Sequence, residues 1–253
     1  MADPHFKGKT ALISGSGAGI GRASAIAFAA KGARVMVCDL NLAAAEETAA
    51  LIHAAGGEAE AINCDATNAE AVERLIKATL DRFGSLDFAH NNVGCGTGKP
   101  LEQLTEDDYN FSVDLSFKSA FLGMRYQLPV MRERGGGSIV NTASMAGIST
   151  TQASDIVYSG AKAGVIQMTA HAARTYGQHN VRVNCIAPGL VATEGIRSRY
   201  NLEEQSVLAS DHIIKRAVLP EEIAAAVIFL CSAEAAMITG IVMPVDGGQN
   251  ANR

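Results

Sequence analysis

Two hydrophobic rhythms alternate along the chain. Short, mostly apolar runs fall at 10–14, 34–39, 58–63, 86–91, 138–142, 182–187 and 240–244. Between them lie longer stretches with apolar residues every three or four positions, at 19–31, 42–55, 69–83, 105–134, 156–178 and 220–232. The short runs predict parallel strands buried on both faces, and the longer ones predict the helices that cover them. Such alternation implies right-handed crossovers and a doubly wound, seven-stranded parallel sheet. No linker, low-complexity tract or repeat interrupts it. Gly135-Gly136-Gly137 reads as a helix-to-strand loop, so residues 1–253 form one domain in this reading. The stretch 190–218 breaks the rhythm, being long, polar and weakly periodic after a strand end. Segments of that kind often close over a site, so a lid is expected there.

Composition narrows the function classes. With 48% apolar residues the chain can bury a large core. A net charge of −5 without a long basic run makes nucleic acid and anionic membrane poor partners for this chain. Arg132-Glu133-Arg134 reads as a solvated helix end. No apolar stretch reaches transmembrane length. Residues 1–9 lack the apolar centre of a secretory signal, so a cytoplasmic setting is expected. Cys38, Cys64, Cys95, Cys185 and Cys231 are odd in number and contain no Cys-x-x-Cys. Cys38, Cys64 and Cys185 fall in or beside strands and read as reduced core residues. The histidines show no metal-ligand spacing, so no metal is expected.

The first strand runs into Ser14-Gly15-Ser16-Gly17-Ala18-Gly19-Ile20-Gly21, which opens the first helix. Gly15, Gly17, Gly19 and Gly21 allow a tight turn and a close approach to a pyrophosphate, and Ile20 starts the helix proper. Free N–H groups and the positive end of the helix dipole then face the anion. An acid, Asp39, closes the next strand as this motif requires. Its carboxylate can accept from both hydroxyls of an adenosine ribose and repels a 2′-phosphate. At ~5 Å and an effective dielectric of ~20, each unit of phosphate charge costs roughly 3 kcal/mol. The loop has no basic residue to welcome that phosphate, and Arg22 is expected to face solvent or a carboxylate. NAD is the expected cofactor.

Tyr158-Ser159-Gly160-Ala161-Lys162 places a phenol and an ammonium on one helix face. An ammonium beside a phenol lowers its pKa from about 10 and suits Tyr158 to give and take a proton.

Together these motifs make the chain similar to a short-chain dehydrogenase/reductase of the single-domain, Rossmann-like type. The resemblance spans essentially the whole chain. It runs through the glycine loop, Asp65 after the third strand, Asn91-Asn92-Val93-Gly94 after the fourth, Ser144 after the fifth, Tyr158 and Lys162, Pro188-Gly189, and Asp246-Gly247-Gly248. It implies that Tyr158 is the general acid/base and that Lys162 holds the nicotinamide ribose. It implies that Ser144 orients the substrate oxygen, and that Asp65 and Ala66 meet the adenine. Asn92 matches the position that braces the adenine-ribose side, Gly94 passes close to the cofactor, and Pro188, Val191 and Thr193 match the segment that holds the carboxamide. Asp246-Gly247-Gly248 looks like a structural brace. Ser14 stands where the family usually has Thr, and Val93 where Ala is common. Asp114 stands where the family often has Asn, which completes a proton relay from Lys162. A carbonyl there serves equally in either residue, but a carboxylate cannot donate as an amide does. Asp114 is thus a candidate catalytic residue whose role stays open.

Gly94, Cys95, Gly96, Met145, Ala146, residues 151–157 and residues 191–208 are the pocket candidates, with Cys95, Ser144, Met145 and Tyr158 nearest a substrate. No Arg or Lys adjoins Ser144 or Tyr158 in sequence, so a neutral hydrophobic secondary alcohol or ketone is expected, cyclic or terpenoid in kind. Arg197 and Arg199 are the lid's exceptions, expected to face solvent. Apolar residues on a second stripe of two helices, among them Phe117, Phe121, Leu122, Met124, Leu128, Val165, Ile166 and Met168, suggest a partner helix. The resemblance implies a homotetramer. Two rivals stay open: a non-catalytic NAD-binding regulatory protein, and an enzyme of another class on the same fold.

Overall fold

A computed structural model of the chain describes residues 3–150 and 154–252. Seven parallel strands form one sheet: β1 (Thr10–Ser14), β2 (Arg34–Asp39), β3 (Glu58–Asn63), β4 (Phe88–Asn91), β5 (Gly137–Thr142), β6 (Val181–Pro188) and β7 (Val242–Val245). Their order is β3-β2-β1-β4-β5-β6-β7. The order reverses between β1 and β4, and a crevice opens there at the C-terminal strand ends, where doubly wound sheets bind ligands. β4 begins two residues later than the apolar run suggested. Asp87 is spent closing the strand's entrance, its carboxylate accepting from the Thr10 N–H at 2.8 Å and the Ser85 hydroxyl at 2.7 Å.

α1 (Gly19–Ala30), α2 (Leu42–Ala54) and the later α9 (Pro220–Cys231) cover one face of the sheet. Phe6, Phe28 and Phe88 stack within that layer at centroid distances of 5.0 to 5.9 Å. Each such buried ring contributes about 1.5–3 kcal/mol of transfer free energy. α3 (Ala69–Phe83), α5 (Ser119–Glu133) and α6 (Ile156–Tyr176) cover the other face. The predicted helix over 105–134 is divided. Thr105 and Asp108 cap α4 (Glu106–Val113) reciprocally, a single π turn follows at Asp114–Lys118, and α5 continues from it. Leu122, Met124, Leu128 and Val165, read as needing cover, find it within the chain, whereas Phe121 stays 42% exposed.

The 190–218 stretch is not a bare loop. A parallel bridge between Val191 and Val218 closes its base, and two short helices, α7 (Glu194–Arg199) and α8 (Leu202–Leu208), fill it. Thr193 and Asn201 cap them. Cys38, Cys64, Cys185 and Cys231 are buried, Cys95 is exposed, and all five are free thiols. Among the described residues no helix is long and apolar enough to cross a membrane.

Candidate active site

Three cavities line the C-terminal edge of the sheet. The first, of about 270 Å³, is walled by Gly15, Asp39, Asp65, Ala66, Asn92 and Gly94, with Cys38 and Cys64 beside them. The second, of about 510 Å³, runs past Gly19, Ile20 and Gly94 to Ser144, Tyr158, Lys162, Pro188, Val191 and Thr193. The third, of about 910 Å³, opens between Ser144, Met145, Tyr158 and the lid. Asn92 and Gly94 border the first two, and Ser144 and Tyr158 border the last two. The residues read from the sequence as adenine, nicotinamide and substrate contacts therefore fall along one continuous edge in that order. Residues 151–153 of the pocket reading lie outside the described residues.

Backbone geometry builds the cofactor end. Asp39 Oδ2 accepts the Gly17 N–H and Oδ1 accepts the Asn41 N–H, both at 2.9 Å, which fixes the carboxylate at the loop. Arg22 is used up nearby. It donates to the Gly17 carbonyl and pairs with Glu47 at 2.8 Å, so it faces a carboxylate as expected. Asn92 braces the glycine loop through Ser14 Oγ at 3.0 Å and the carbonyls of Ser14 and Gly15. Its neighbour Asn91 braces the strand instead, exchanging amide bonds with Gln127 and reaching Asn141. Asp65 accepts from the Thr67 N–H and hydroxyl at 2.9 and 2.7 Å. At the N-terminus of α1 the Gly19 N–H already holds an anion, the Glu194 carboxylate at 2.9 Å. A donor that takes a carboxylate takes a phosphate oxygen equally well, so the residues fit a pyrophosphate-bearing cofactor. Among the described residues no group of three or more His, Cys, Asp or Glu could hold a metal ion.

The end that carries Tyr158 and Lys162 is held by α6 and β5. Lys162 is 1% exposed, and its Nζ donates to the Thr142 carbonyl at 2.7 Å. Burial, opposed by nearby Cys95 and Cys185, brings its ammonium down to about 8. Gly94 lies directly on it, and a Cβ there would collide with Nζ. Beneath, the fully buried His90 bonds the Thr142 hydroxyl at 2.8 Å. Burial first, and the Lys162 charge second, push His90 down to about 3, so its ring is neutral at physiological pH.

Tyr158 corrects one expectation. Its spacing to Lys162 predicts a more acidic phenol, yet in the polypeptide itself the phenol is pushed above its ordinary range. Burial is the largest cause, and the charges of Cys95 and Asp155 add to it; a hydrogen bond with Ser144 opposes it. Lys162 Nζ stands 5.7 Å from the ring centroid, too far to overcome the desolvation. Ser144, Tyr158 and Lys162 do meet. Asp114 does not join them through its carboxylate, which pairs with Lys118 at 3.2 Å and is 44% exposed. Its carbonyl accepts the Ser119 N–H across the π turn.

Within the 191–208 pocket range and just beyond it, three residues have places that their sequence does not reveal. Arg199, read as solvent-facing, is exposed but lines the central cavity, and Glu194 occupies the loop. His212, a buried residue of the lid itself, accepts the Leu190 N–H at 3.2 Å through Nε2 and bonds the Arg216 carbonyl at 2.8 Å through Nδ1. It thereby ties both ends of the lid together. A lone histidine in a polar stretch carries no signal of such a role.

Comparison with known proteins gives the family. A family model described as enoyl-(acyl carrier protein) reductase matches residues 15–250. The 2,5-dichloro-2,5-cyclohexadiene-1,4-diol dehydrogenase of Sphingobium indicum is 40% identical over 250 residues, covering 97% of this chain and 98% of its own. A short-chain dehydrogenase/reductase structure from Burkholderia xenovorans superposes with a TM-score of 0.92 at 38% identity, covering 98% of both chains. A 7α-hydroxysteroid dehydrogenase, solved with NADH and 7-oxo glycochenodeoxycholic acid, gives 0.91 at 33% identity with the same coverage. The protein belongs to the short-chain dehydrogenase/reductase family of oxidoreductases.

Proposed function

We propose that the protein interconverts a neutral, hydrophobic, cyclic secondary alcohol and its ketone, using NAD, with Tyr158 as general acid/base. The observation that carries this reading is that Ser144 and Tyr158 stand together at the seam of the central and outer cavities, with the buried Lys162 beside them. When bound, a nicotinamide supplies the hydride acceptor or donor. Ser144 holds the substrate oxygen, and Tyr158 takes the alcohol's proton or returns one to the ketone oxygen. The Lys162 ammonium holds the nicotinamide ribose and favours the tyrosinate. The positive charge of an oxidised cofactor acts in the same direction, against the burial that raises the phenol. Oxidation therefore gains with rising pH and ketone reduction with falling pH.

Asp39 supports NAD over NADP through its fixed carboxylate at the loop. Asp65 and Ala66 meet the adenine, Asn92 and Gly94 pass beside the ribose, and Pro188, Val191 and Thr193 hold the carboxamide. Any share Asp114 has in a proton relay falls to its main-chain carbonyl. In the outer cavity Met145, Ala146, Leu190, Val207 and Leu208 form apolar wall, and among the described lining residues there is no Lys or Arg. Such a wall suits a neutral ring and offers an anionic substrate no clamp. Cys95 borders the central cavity and so lies nearer the cofactor than the ring. Residues 190–218 act as the lid. The five free thiols suit a cytoplasmic setting, and exposed Phe111, Phe121, Phe229 and Met237 suit a homotetramer.

A screen of cyclic secondary alcohols and ketones with NAD and NADP in parallel, followed by NADH absorbance, tests the reading. Turnover with NAD is expected, with NADP weaker by roughly a hundredfold. Tight NADH binding without turnover on any compound would favour the regulatory-protein reading instead.

A further inference from the structure

The catalytic helix begins at a carboxylate that touches no reacting group. Asp155 caps α6, its Oδ1 accepting the Tyr158 N–H at 2.7 Å. Its Oδ2 turns away from the helix. It accepts the Thr97 N–H at 2.8 Å, the Gly98 N–H at 2.9 Å and the Thr97 hydroxyl at 3.2 Å. The residue is 4% exposed. Burial pushes its pKa up, but the N–H bonds outweigh burial and hold it below the usual carboxylate range.

A helix cap needs one acceptor, and Asn or Ser supplies it as well as Asp. The second oxygen is what distinguishes Asp155. It meets three donors, where an amide would set its own N–H groups against them. The choice of a carboxylate is therefore explained by the loop after β4 and not by the helix. That loop lies over the catalytic pair. Gly94 covers Lys162. The Cys95 N–H donates to Ser116 Oγ at 3.1 Å, and the Ser116 hydroxyl donates to the Cys95 carbonyl at 2.9 Å. Gly96 lies flat on Tyr158, where an added Cβ would come within 2.8 Å of the tyrosine Cβ. Ser116, on the π turn, thus holds the near end of the loop, and Asp155 holds the far end to the helix that carries the acid/base.

We propose that Asp155 is a positioning residue: its Oδ2 fixes residues 94–98 in register over Tyr158 and so aligns the substrate's reacting carbon with the phenol. The assignment rests on the alcohol–ketone reading given above. Reactions of this kind are sensitive to small displacements of the reacting groups, so a loosened loop lowers kcat/KM without emptying the cofactor site.

Asp155→Asn separates the two roles, since it keeps the Oδ1 cap and turns an amide toward the loop. Its kcat/KM for a cyclic alcohol is expected to fall by roughly tenfold or more. NADH affinity should stay within about twofold. Amide exchange at Thr97 and Gly98 should quicken while α6 keeps its protection. Ser144, Cys95, Lys162 and Asp155 act on Tyr158, and Asp211 and His212 border the same cavity; loss of the Asp155 charge should move the pH limb of oxidation to lower pH. Unchanged kcat/KM with an unchanged pH limb would overturn the proposal. So would parallel loss of NADH binding and α6 protection, which marks a merely structural residue. Should Asp155→Asn fail to fold, Asp155→Ser keeps a capping oxygen too short to reach the loop, and Thr97→Val removes one of the three donors. Both should repeat the kcat/KM and exchange changes, the second more weakly, and neither doing so would equally overturn it. Exchange is read without substrate. Quickened exchange in a protein whose parent turns over no alcohol would sink the reaction reading and leave the tether standing.

Discussion

The cofactor side and the substrate side of this edge are assembled by different means. On the cofactor side, main-chain groups at strand ends do the holding: the Gly17 and Gly19 N–H groups, and the carbonyls of Ser14 and Gly15 that Asn92 braces. On the substrate side, side chains from a long excursion do it, and His212 joins the Leu190 N–H to the Arg216 carbonyl. Backbone sites depend on where strands end and tolerate few sequences. Side-chain sites depend on which residues happen to meet, so their chemistry varies with little cost to the fold. On the proposed function, the difference implies that the scaffold sets where a cofactor lies, with the Asp39 carboxylate choosing its kind, and that the lid sets the substrate.

Four substitutions probe that division. The greatest loss is expected at the seam, where Tyr158→Phe should cut alcohol oxidation by about 10²–10⁴. NADH binding measured by fluorescence should persist; if turnover also persists, the acid/base assignment fails. Next is Asp39→Ser, which removes the charge facing a 2′-phosphate. The ratio of kcat/KM for NAD over NADP should drop by roughly a hundredfold, and an unmoved ratio would place cofactor choice elsewhere. On the other side, His212→Ala should raise KM for the ring substrate by about tenfold, as two lid-anchoring bonds at about 1 kcal/mol each are partly replaced by water. Cofactor affinity should hardly move; an equal loss in both would erase the division. The smallest effect belongs to Glu194→Gln. A carboxylate that competes for the Gly19 amide becomes a weaker acceptor, so NADH should bind tighter by about two- to fivefold in calorimetry. Weaker binding would show that Glu194 assists the cofactor.

Much of the cofactor side was legible because its signals are local. Glycines between a strand and a helix, an acid at the next strand end, and a Tyr and Lys four apart each carry their geometry in their spacing. The strands were legible for the same reason, and the late start of β4 reflects one side chain, Asp87, spent on the neighbouring strand. The rest was not local. Asp155 meets Thr97 across 58 positions and Glu194 meets Gly19 across 175. No periodicity encodes such meetings. The direction of the Tyr158 shift is not in the spacing, which shows a neighbour's charge but not the burial that opposes it. The Asp114 carboxylate pairs with Lys118, four residues on along the π turn, a local contact that the match of position alone does not reveal. α7 and α8 were hidden because each is too short to display a helical period.

The partner of the buried Lys162 ammonium is a main-chain oxygen, that of Thr142. Every residue type carries such an oxygen, so exchanging the side chain at 142 leaves the acceptor in place. It would take a slip of β5 against β4 and β6 to pull it away, and both neighbours pin that register along most of the strand. The acceptor of the Lys162 nitrogen is thus held in place by the hydrogen-bond ladder of the sheet, whichever side chain stands at 142.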